Sequence, residues 1–280
     1  MSHPDAHWFL GIGAQKAGTT WLHDQLALHP QVALPARKEV HYFDMVHPPA
    51  AAPRSFGMTF TQSAKRHVER LRTGVGNADT HLDRLDDLVD LLALNYTGSE
   101  GYREYLCRAA DDATRAIGEI TPAYSILDDV GFAHVVDTLP DVRVVFVMRD
   151  PLERYWSAVR MRKIEDAERR QQVFQNSIGQ PGVWRRSDYR TTIETVERHV
   201  PRDHVQYLFY EDLFNEDRLR EVARFLGVAE QWDWDLSRQS NVSPAHDMPD
   251  GRDEVLDRLR PVYEFVHERF GDAVPDQWHG

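Results

Sequence analysis

A glycine- and threonine-rich segment near the start of the chain, GIGAQKAGTTW at residues 11–21, contains a single lysine, Lys16. Gly13 and Gly18 have the separation of the two glycines in a Walker phosphate loop, where the lysine directly follows the last glycine. Here Thr19 follows Gly18, and Lys16 comes two residues before it. The segment predicts a phosphate-binding loop whose lysine meets a different atom of its ligand from the lysine of an ATP site.

The residues around this lysine supply donors that suit an anion. If a helix begins near Gly18, the backbone N–H groups of residues 16–20 point toward one site, and two threonine hydroxyls add to them. We therefore assign six residues to binding of a phosphorylated cofactor: Gln15, Lys16, Ala17, Gly18, Thr19 and Thr20. A tight turn between a strand and a helix, with a solvated lysine, is the alternative interpretation.

A second candidate cluster lies in FVMRDPLERYWSAVRM, residues 146–161. Arg149 follows an apolar run, and Ser157 lies two helical turns further on, so a guanidinium and a hydroxyl are available for a terminal phosphate monoester. In a rival interpretation this is a Walker B strand, with Asp150 as a magnesium ligand. Pro151 favours a helix cap instead, because Asp followed by Pro is typical of a helix start. Arg149 also has a purely structural alternative at the sheet edge.

A third cluster, ARKEVHYFD at residues 36–44, contains a possible proton acceptor. Glu39 and His41 lie on one face if the segment is extended, and either can take a proton from an attacking hydroxyl. Further residues are candidates for contacts with the acceptor substrate: Lys38, Tyr42, Phe43, Tyr124 and Tyr189. Aromatic side chains of this kind also belong commonly to the core.

Alternating strands and helices must position these clusters. Apolar runs predict strands over residues 8–13, 116–121, 142–148 and 204–210. Helical spacing predicts helices after residue 18, over 62–72, 82–94, 100–110 and 126–138, after Asp150, and over 187–199, 211–227 and 252–271. Residues 46–61 are predicted to be irregular. This pattern predicts an α/β fold: a single P-loop-like domain over residues 1–280, with a central, mostly parallel sheet flanked by helices. Ligands then gather at the carboxyl ends of the strands.

Composition narrows the range of partners. The 280 residues carry a net charge of −12, which disfavours nucleic acid and long sulfated polymers as partners. No apolar run approaches the roughly 18 residues of a membrane span, and the first residues lack the pattern of a cleaved leader. Cys107 is the only cysteine, so no intrachain disulfide is possible. A cytoplasmic protein is expected.

Taken together, QKAGTTWL, RDPLERYWS and KEVHYFD resemble motifs of the sulfotransferases that use 3′-phosphoadenosine 5′-phosphosulfate (PAPS), in the heparan-sulfate and Golgi-type branch. GEITPAYS and SDYRTTIETV are similar to later segments of that branch. The resemblance implies PAPS as donor, 3′-phosphoadenosine 5′-phosphate (PAP) as product, and no required metal. It implies that Lys16 neutralises the leaving oxygen and that Arg149 and Ser157 hold the 3′-phosphate. Glu39 is then favoured as base, with His41 as the alternative.

One late segment departs from the resemblance. The branch closes over the nucleotide with a basic, glycine-containing loop, whereas SRQSNVSPAHDMPDGR here contains no lysine. Asn241 and Arg252 are the residues assigned to nucleotide contacts in this segment. The disulfide cysteines common in secreted members are also missing, which again favours a cytoplasmic relative.

The acceptor is expected to be a small hydroxylated molecule or a glycoside, with an amine less favoured. Residues 160–190 contain eight Arg or Lys against four acids, an excess that suits an acidic group on the acceptor or that forms a solvated helix face. Two other functions remain open: a P-loop kinase or phosphotransferase, and a non-catalytic protein that binds adenosine bisphosphate.

Overall fold

The computed structural model describes residues 6–52, 55–237 and 247–278. The strands are β1 (His7–Gly13), β2 (Val32–Ala33), β3 (Ala116–Ile120), β4 (Arg143–Met148) and β5 (Val205–Phe209). They form one sheet in the order β2-β3-β1-β4-β5, and every neighbouring pair is parallel. The central position of β1 places the end of that strand in the middle of the carboxyl edge.

The buried strands explain why the sheet is parallel. All residues of β3 are buried, as are all residues of β4 after Arg143, so both faces of the sheet are covered. Continuous apolar runs are what strands buried on both faces require. The predicted α/β fold with a central parallel sheet flanked by helices is confirmed. Strand β2 escaped prediction because it has only two residues.

Helices connect and cover these strands. Within the described residues they are α1 (Thr19–Leu26), α2 (Tyr42–Val46), α3 (Ser55–Thr73), α4 (Ala78–Cys107), α5 (Asp129–Thr138), α6 (Pro151–Arg160), α7 (Ala167–Ser177), α8 (Pro181–Trp184), α9 (Tyr189–His199), α10 (Glu216–Leu226) and α11 (Arg252–Phe270). Several begin with an Asp or Asn side chain that accepts a backbone N–H three residues later, as Asp188 does from Thr191. Such caps stabilise the helix start.

The segment between β2 and β3 differs most from expectation. Residues 46–61 were predicted to be irregular, but α3 already begins at Ser55. It packs against α4 as a helical hairpin, and His67 of α3 lies 3.2 Å from His81 of α4 between their Nδ1 atoms. Gly98, with φ 63° and ψ −154°, interrupts α4 between the two helices predicted there.

One hydrophobic core includes residues from both ends of the described chain, from Phe9 in β1 to Trp278. Helix α11 packs on α6 and α9, which places the last elements beside β4 and β5. Pro261 lies inside α11, which runs unbroken from Arg252 to Phe270. Within the described ranges, no helix is long and apolar enough to cross a membrane.

Candidate active site

The glycine- and threonine-rich loop connects the end of β1 to the start of α1. Its first turn is fixed to the sheet, because Ala14 N–H donates to the carbonyl of Val147 on β4 at 2.6 Å. Gly18, the residue before α1, has φ 77°, and a Cβ there would lie 2.9 Å from a methyl group of Leu213. Only glycine fits that backbone and that space. The first N–H groups of α1, which have no acceptor in their own helix, therefore face the loop.

Lys16 lies in the loop with a positive φ of 72°. Burial lowers the pKa of its ammonium, the positive charges of Arg149 and Arg160 lower it further, and the carboxylate of Glu39 acts in the opposite direction. Within the described part of the chain, the ammonium makes no hydrogen bond or ion pair. An anion bound between these cations would reverse the electrostatic penalty.

Arg149 extends from the carboxyl end of β4 toward the same loop. Its Nη1 donates to the carbonyl of Lys16 at 3.2 Å, and its guanidinium carbon lies 4.4 Å from the ring centroid of Tyr210. Nη2 lies 3.5 Å from a carboxylate oxygen of Glu153. The hydroxyl of Tyr189 donates to the Arg149 carbonyl at 2.7 Å, which fixes the backbone that carries this side chain.

Several donors of these cations lack an acceptor. Buried Nε atoms of Arg149 and Arg160 have no hydrogen-bond partner among the described residues, and neither does Nη1 of Arg154. Arg154 is fully buried, and its guanidinium donates to a single neutral partner, the hydroxyl of Ser187, at 2.6 and 2.9 Å. Desolvation lowers the pKa of Arg154 to about 10. Buried donors without partners are uncommon, and a bound anion is one explanation for them.

Asp150 caps α6, as the Asp-Pro pair predicted. One of its carboxylate oxygens accepts the N–H of Glu153 at 2.8 Å, and the other accepts the hydroxyl of Tyr263 at 2.9 Å. Glu211 holds the backbone of Asp150 by accepting its N–H at 3.0 Å. Because both oxygens of Asp150 already serve the fold, the structure gives no support to this residue as a magnesium ligand.

The segment with Glu39 and His41 is not extended. Both residues have left-handed backbone conformations, with φ 67° and φ 62°, and α2 begins directly after His41. The expectation that an extended strand aligns these side chains was therefore wrong. The loop nevertheless brings them together, with His41 Nε2 3.4 Å from a carboxylate oxygen of Glu39. Three of the five non-glycine residues with positive φ in the described chain belong to this site, including Lys16. Such backbone strain is concentrated at functional sites in proteins.

Electrostatic neighbours set the charges of this pair. Burial opposes ionisation of Glu39, but hydrogen bonds and charges of His41 and Lys38 outweigh it and lower the pKa of Glu39 to about 2. Burial likewise opposes protonation of His41, yet the carboxylates of Asp44 and Glu39 raise the pKa of His41 to about 9. The distances agree, since His41 Nδ1 lies 2.9 Å from Asp44 and Lys38 Nζ lies 2.8 Å from Glu39. These shifts favour the carboxylate form of Glu39 and the imidazolium form of His41.

A buried carboxylate at the end of β3 supports this loop. Glu119 accepts the backbone N–H of Val40, which lies between Glu39 and His41, at 3.0 Å. It also accepts three hydroxyls, from Tyr102 at 2.8 Å, Tyr124 at 2.6 Å and Thr121 at 2.5 Å. Burial raises the pKa of Glu119, and these hydrogen bonds counteract the rise. Four donors suit an ionised carboxylate, which has about four lone-pair sites.

The four aromatic residues predicted to line the acceptor pocket lie in the core. Tyr42, Phe43, Tyr124 and Tyr189 each expose 1% of their surface or less. The ring of Tyr42 stacks on Tyr102 at 4.4 Å, and the hydroxyls of Tyr124 and Tyr189 serve Glu119 and Arg149. None of the four rings therefore has exposed surface in this structure with which to form the predicted pocket wall. Two of them instead hold residues of the site from behind.

The remaining predicted residues fall in different places. Ser157 lies on α6 and is buried, and Ala17 and Thr19 are buried within the phosphate loop. Gln15 and Thr20 are partly exposed there. Arg252 is exposed at the first turn of α11, and Asn241 lies outside the described residues.

Four residues of the site were not predicted to belong to it. Glu119 and Asp44 act through side chains that the fold brings to the loop, and no local spacing in the sequence indicates this. Tyr210 underlies Arg149 only because β5 is adjacent to β4. Arg160 was counted only as one member of a basic segment, although it lies one helical turn beyond Ser157 and therefore on the same face of α6.

A phosphate loop at the end of one parallel strand and an arginine at the end of its neighbour form an arrangement typical of α/β proteins that bind phosphorylated ligands. A sequence model described as the Sulfotransferase family matches residues 9–233. The chain belongs to this family and is therefore an enzyme.

A solved structure agrees on the fold. The chain is similar to a sulfotransferase from Alicyclobacillus acidocaldarius, with 18% identity, a TM-score of 0.60 and 96% of each chain covered. It is also similar to the sulfotransferase domain of an olefin synthase from Synechococcus PCC 7002, with 16% identity and a TM-score of 0.47 over 96% of this chain and 95% of that one. No curated protein sequence matches significantly.

Proposed function

We propose that this sulfotransferase moves the sulfuryl group of PAPS to a hydroxyl of a small molecule or glycoside by in-line transfer. The observation that carries the proposal is a group of cationic donors at the loop that have no partner among the described residues: the ammonium of Lys16 and the Nε atoms of Arg149 and Arg160. These donors suit a ligand with several negative charges. PAPS has such charges at both its phosphosulfate and its 3′-phosphate.

Each end of the donor has residues of matching chemistry. The N–H groups at the start of α1, the hydroxyls of Thr19 and Thr20, and Lys16 would hold the 5′-phosphosulfate. Arg149 and Ser157 would hold the 3′-phosphate, since a guanidinium can donate two parallel hydrogen bonds to one phosphate.

The donor supplies an activated sulfuryl group, and the chain supplies charge and proton acceptance around it. A bond forms between the acceptor oxygen and sulfur while the bond from sulfur to the 5′-phosphate oxygen breaks. Lys16 neutralises the charge that develops on this leaving oxygen, an interaction stronger in the transition state than before it. The proton of the acceptor hydroxyl passes to Glu39.

Glu39 is the proposed base because it is the member of the pair that is unprotonated at neutral pH. A carboxylate with a pKa of about 2 is weakly basic. In a loose transition state, such as those described for phosphoryl transfer, the attacking hydroxyl loses its proton late, so a weak base in the right place is sufficient. The imidazolium of His41 then holds Glu39 in position and in its ionised form. The match of KEVHYFD to the heparan-sulfate and Golgi-type branch supports the same assignment.

The net charge of the chain favours a small acceptor over a polymeric one. The chain carries a net charge of −12, which disfavours an extended polyanion as acceptor. A small hydroxylated acceptor needs only the local site around Glu39 and Lys38.

Ligand binding tests the donor class directly. We expect PAP to raise the thermal unfolding temperature of the protein more than ADP or ATP at equal concentration, with or without magnesium, because binding to the native state stabilises it. Adenosine 5′-phosphate, which lacks the 3′-phosphate, should stabilise less than PAP. The variant Arg143→Lys is a matched control, since Arg143 lies at the opposite end of β4 and bonds the carbonyl of Phe225. Preferential, magnesium-dependent stabilisation by ATP would refute the proposal and favour a kinase.

A further inference from the structure

The outer face of α4 carries an apolar stripe that nothing in the described chain covers. Leu82 is 50% exposed, Val89 63%, Leu92 40% and Tyr96 92%. Buried leucines on the opposite side of the same helix, such as Leu88 and Leu91, already complete its contact with the core. Soluble monomers rarely expose a contiguous apolar row of this kind, and such rows mark interaction surfaces.

The stripe has the spacing of a coiled-coil seam. With Leu82 at a heptad a position, Val89 and Tyr96 are the next two a positions. Leu92 is an exposed d position, and Leu85, the other d position, is half-buried against the core. Alternating steps of three and four residues keep one line of side chains facing a partner helix. Leucine at both d positions is the pattern of two-stranded parallel coils.

Charges of opposite sign lie on the two sides of the stripe. Successive helix residues point about 100° apart, so His81, Leu82 and Asp83 face three directions. His81 contacts His67 of α3, Leu82 points outward, and Asp83 lies on the side away from α3. Three exposed acids of α4 lie on this side away from α3, which we call the acidic edge: Asp79, Asp83 and Asp86. The exposed surface of α3 carries four basic residues, Lys65, Arg66, Arg70 and Arg72, and one acid, Glu69.

Each chain presents a basic helix, an apolar stripe and an acidic edge in that order. Two copies of this face bring opposite charges together in only one relative orientation. A two-fold axis parallel to α4 sets the basic α3 of one chain against the acidic edge of the other, twice. An axis perpendicular to α4 in the plane of the interface would instead oppose like charges. The hairpin face is two helices wide, at about 10 Å each, and roughly 30 Å long, so it covers on the order of 600 Å² per chain, the lower range of stable interfaces.

We propose that the occupant of this face is a second copy of the chain, in a symmetric dimer with the two α4 helices side by side and parallel. The interface joins the apolar stripes of the two chains at its centre and pairs α3 of each chain with the acidic edge of the other.

The mass of the full-length protein in solution tests the proposal. We expect light scattering after size-exclusion chromatography to give twice the 32.4 kDa chain mass at micromolar concentration. Val89→Glu should produce a monomer, because it places a charge at the centre of the stripe. Val130→Glu is a matched control: Val130 is 62% exposed on α5, nearly the same exposure, and its replacement should leave the dimer intact.

Charge reversal tests the orientation independently of the apolar stripe. The double variant Asp83→Arg/Asp86→Arg should weaken dimerisation at least tenfold, as should Arg66→Asp/Arg70→Asp. The chain with all four changes should recover most of the loss, because its opposite charges again face each other. Circular dichroism confirms that each variant is folded. A monomeric wild-type chain, a dimer unaffected by Val89→Glu, or a fourfold variant no better than the doubles would each overturn the proposal. Binding of the monomer to lipid vesicles would assign the stripe to a membrane surface instead.

Discussion

The guanidinium of Arg149 donates to the backbone carbonyl of Lys16 at 3.2 Å, linking two residues that are 133 positions apart in the sequence. The end of β4 thereby holds the phosphate loop at the end of β1. One side chain contributes both to the shape of the loop and to the positive charge around it. Replacing Arg149 with lysine therefore tests the hydrogen bonds of the guanidinium as well as its charge.

Arg149→Lys keeps the positive charge but removes the planar fork. We expect the affinity for PAP to fall roughly 10- to 100-fold, which corresponds to the about 1.5–3 kcal/mol of a hydrogen bond to a charged group. Affinity for adenosine 5′-phosphate should fall less, because that ligand has no 3′-phosphate. Calorimetric titration of both ligands measures the difference. Equal losses for the two ligands would place Arg149 elsewhere than at the 3′-phosphate.

Lys16→Met removes the ammonium with little change in side-chain length. We expect kcat to fall about 10²- to 10³-fold, the loss typical of a group that stabilises developing charge in the transition state. Binding of PAP should change much less, because the backbone N–H groups of the loop remain. Steady-state rates with PAPS and titration with PAP separate the two effects. A rate of sulfuryl transfer near that of the wild type would exclude the proposed role of Lys16.

His41→Asn tests whether His41 keeps the proposed base, Glu39, in its ionised form. Asparagine tolerates the left-handed backbone of this position and carries no charge. His41 contributes to the low pKa of Glu39, so its removal should raise that pKa from about 2 toward 4.5 or above. Activity requires the carboxylate form of Glu39. The decrease of kcat/KM at low pH should therefore begin at a higher pH, and activity near pH 7 should persist. Glu39→Gln should abolish most activity at every pH. The reverse outcome, with Glu39→Gln active and His41→Asn inactive, would make His41 the base.

Asp44→Asn tests the source of the charge on His41. The folded protein raises the pKa of His41 from 6.5 to about 9, so protonation of His41 stabilises the native state below pH 6.5. That contribution is lost as pH rises through 9, and the shift corresponds to a fall of up to about 3 kcal/mol in the free energy of unfolding. Without the Asp44 carboxylate the fall should be smaller, because only Glu39 then raises the pKa of His41.

Urea unfolding between pH 6 and 10 measures this difference. Asp129→Asn is the matched control, because Asp129 and His199 form a pair of similar length, 2.9 Å, on the exposed surface. Its loss should leave the pH dependence as it is in the wild type, since solvent screens exposed pairs. An Asp44→Asn variant with wild-type pH dependence would show that Asp44 does not hold the proton on His41.

Glu119→Gln tests the support beneath the Glu39 loop. An amide has one oxygen, so it cannot accept the four donors that Glu119 accepts, and buried donors left without an acceptor cost about 1–3 kcal/mol each. We expect lower stability together with a lower kcat, because the N–H of Val40 loses its anchor. Tyr102→Phe removes only one donor and should have a smaller effect on both. Unchanged stability in Glu119→Gln would mean that the network is not required.

Local sequence determined the parts of this protein that depend on neighbouring residues. The apolar run of β4 predicted a strand buried on both faces, and Asp150-Pro151 predicted a helix cap; both are present in the structure. The glycine spacing around Lys16 predicted a loop between a strand and a helix, which the structure contains between β1 and α1, and phosphate binding by this loop stays a prediction. These features follow from side-chain periodicity and from backbone preferences, which a sequence displays directly.

Only the tertiary structure decided the charges and supports around the site. Asp44 lies within three residues of His41, yet their pairing depends on two left-handed residues followed by a helix turn, a conformation that local preferences disfavour. Glu119 reaches Val40 across 79 positions because β3 ends beneath the loop. The tertiary structure likewise buries in the core the four aromatic residues that were expected to line the acceptor pocket. Hydrogen bonds and electrostatic interactions act through space, so the charges of Glu39 and His41 depend on the backbone conformation that brings Lys38 and Asp44 against them, and the sequence does not display that conformation.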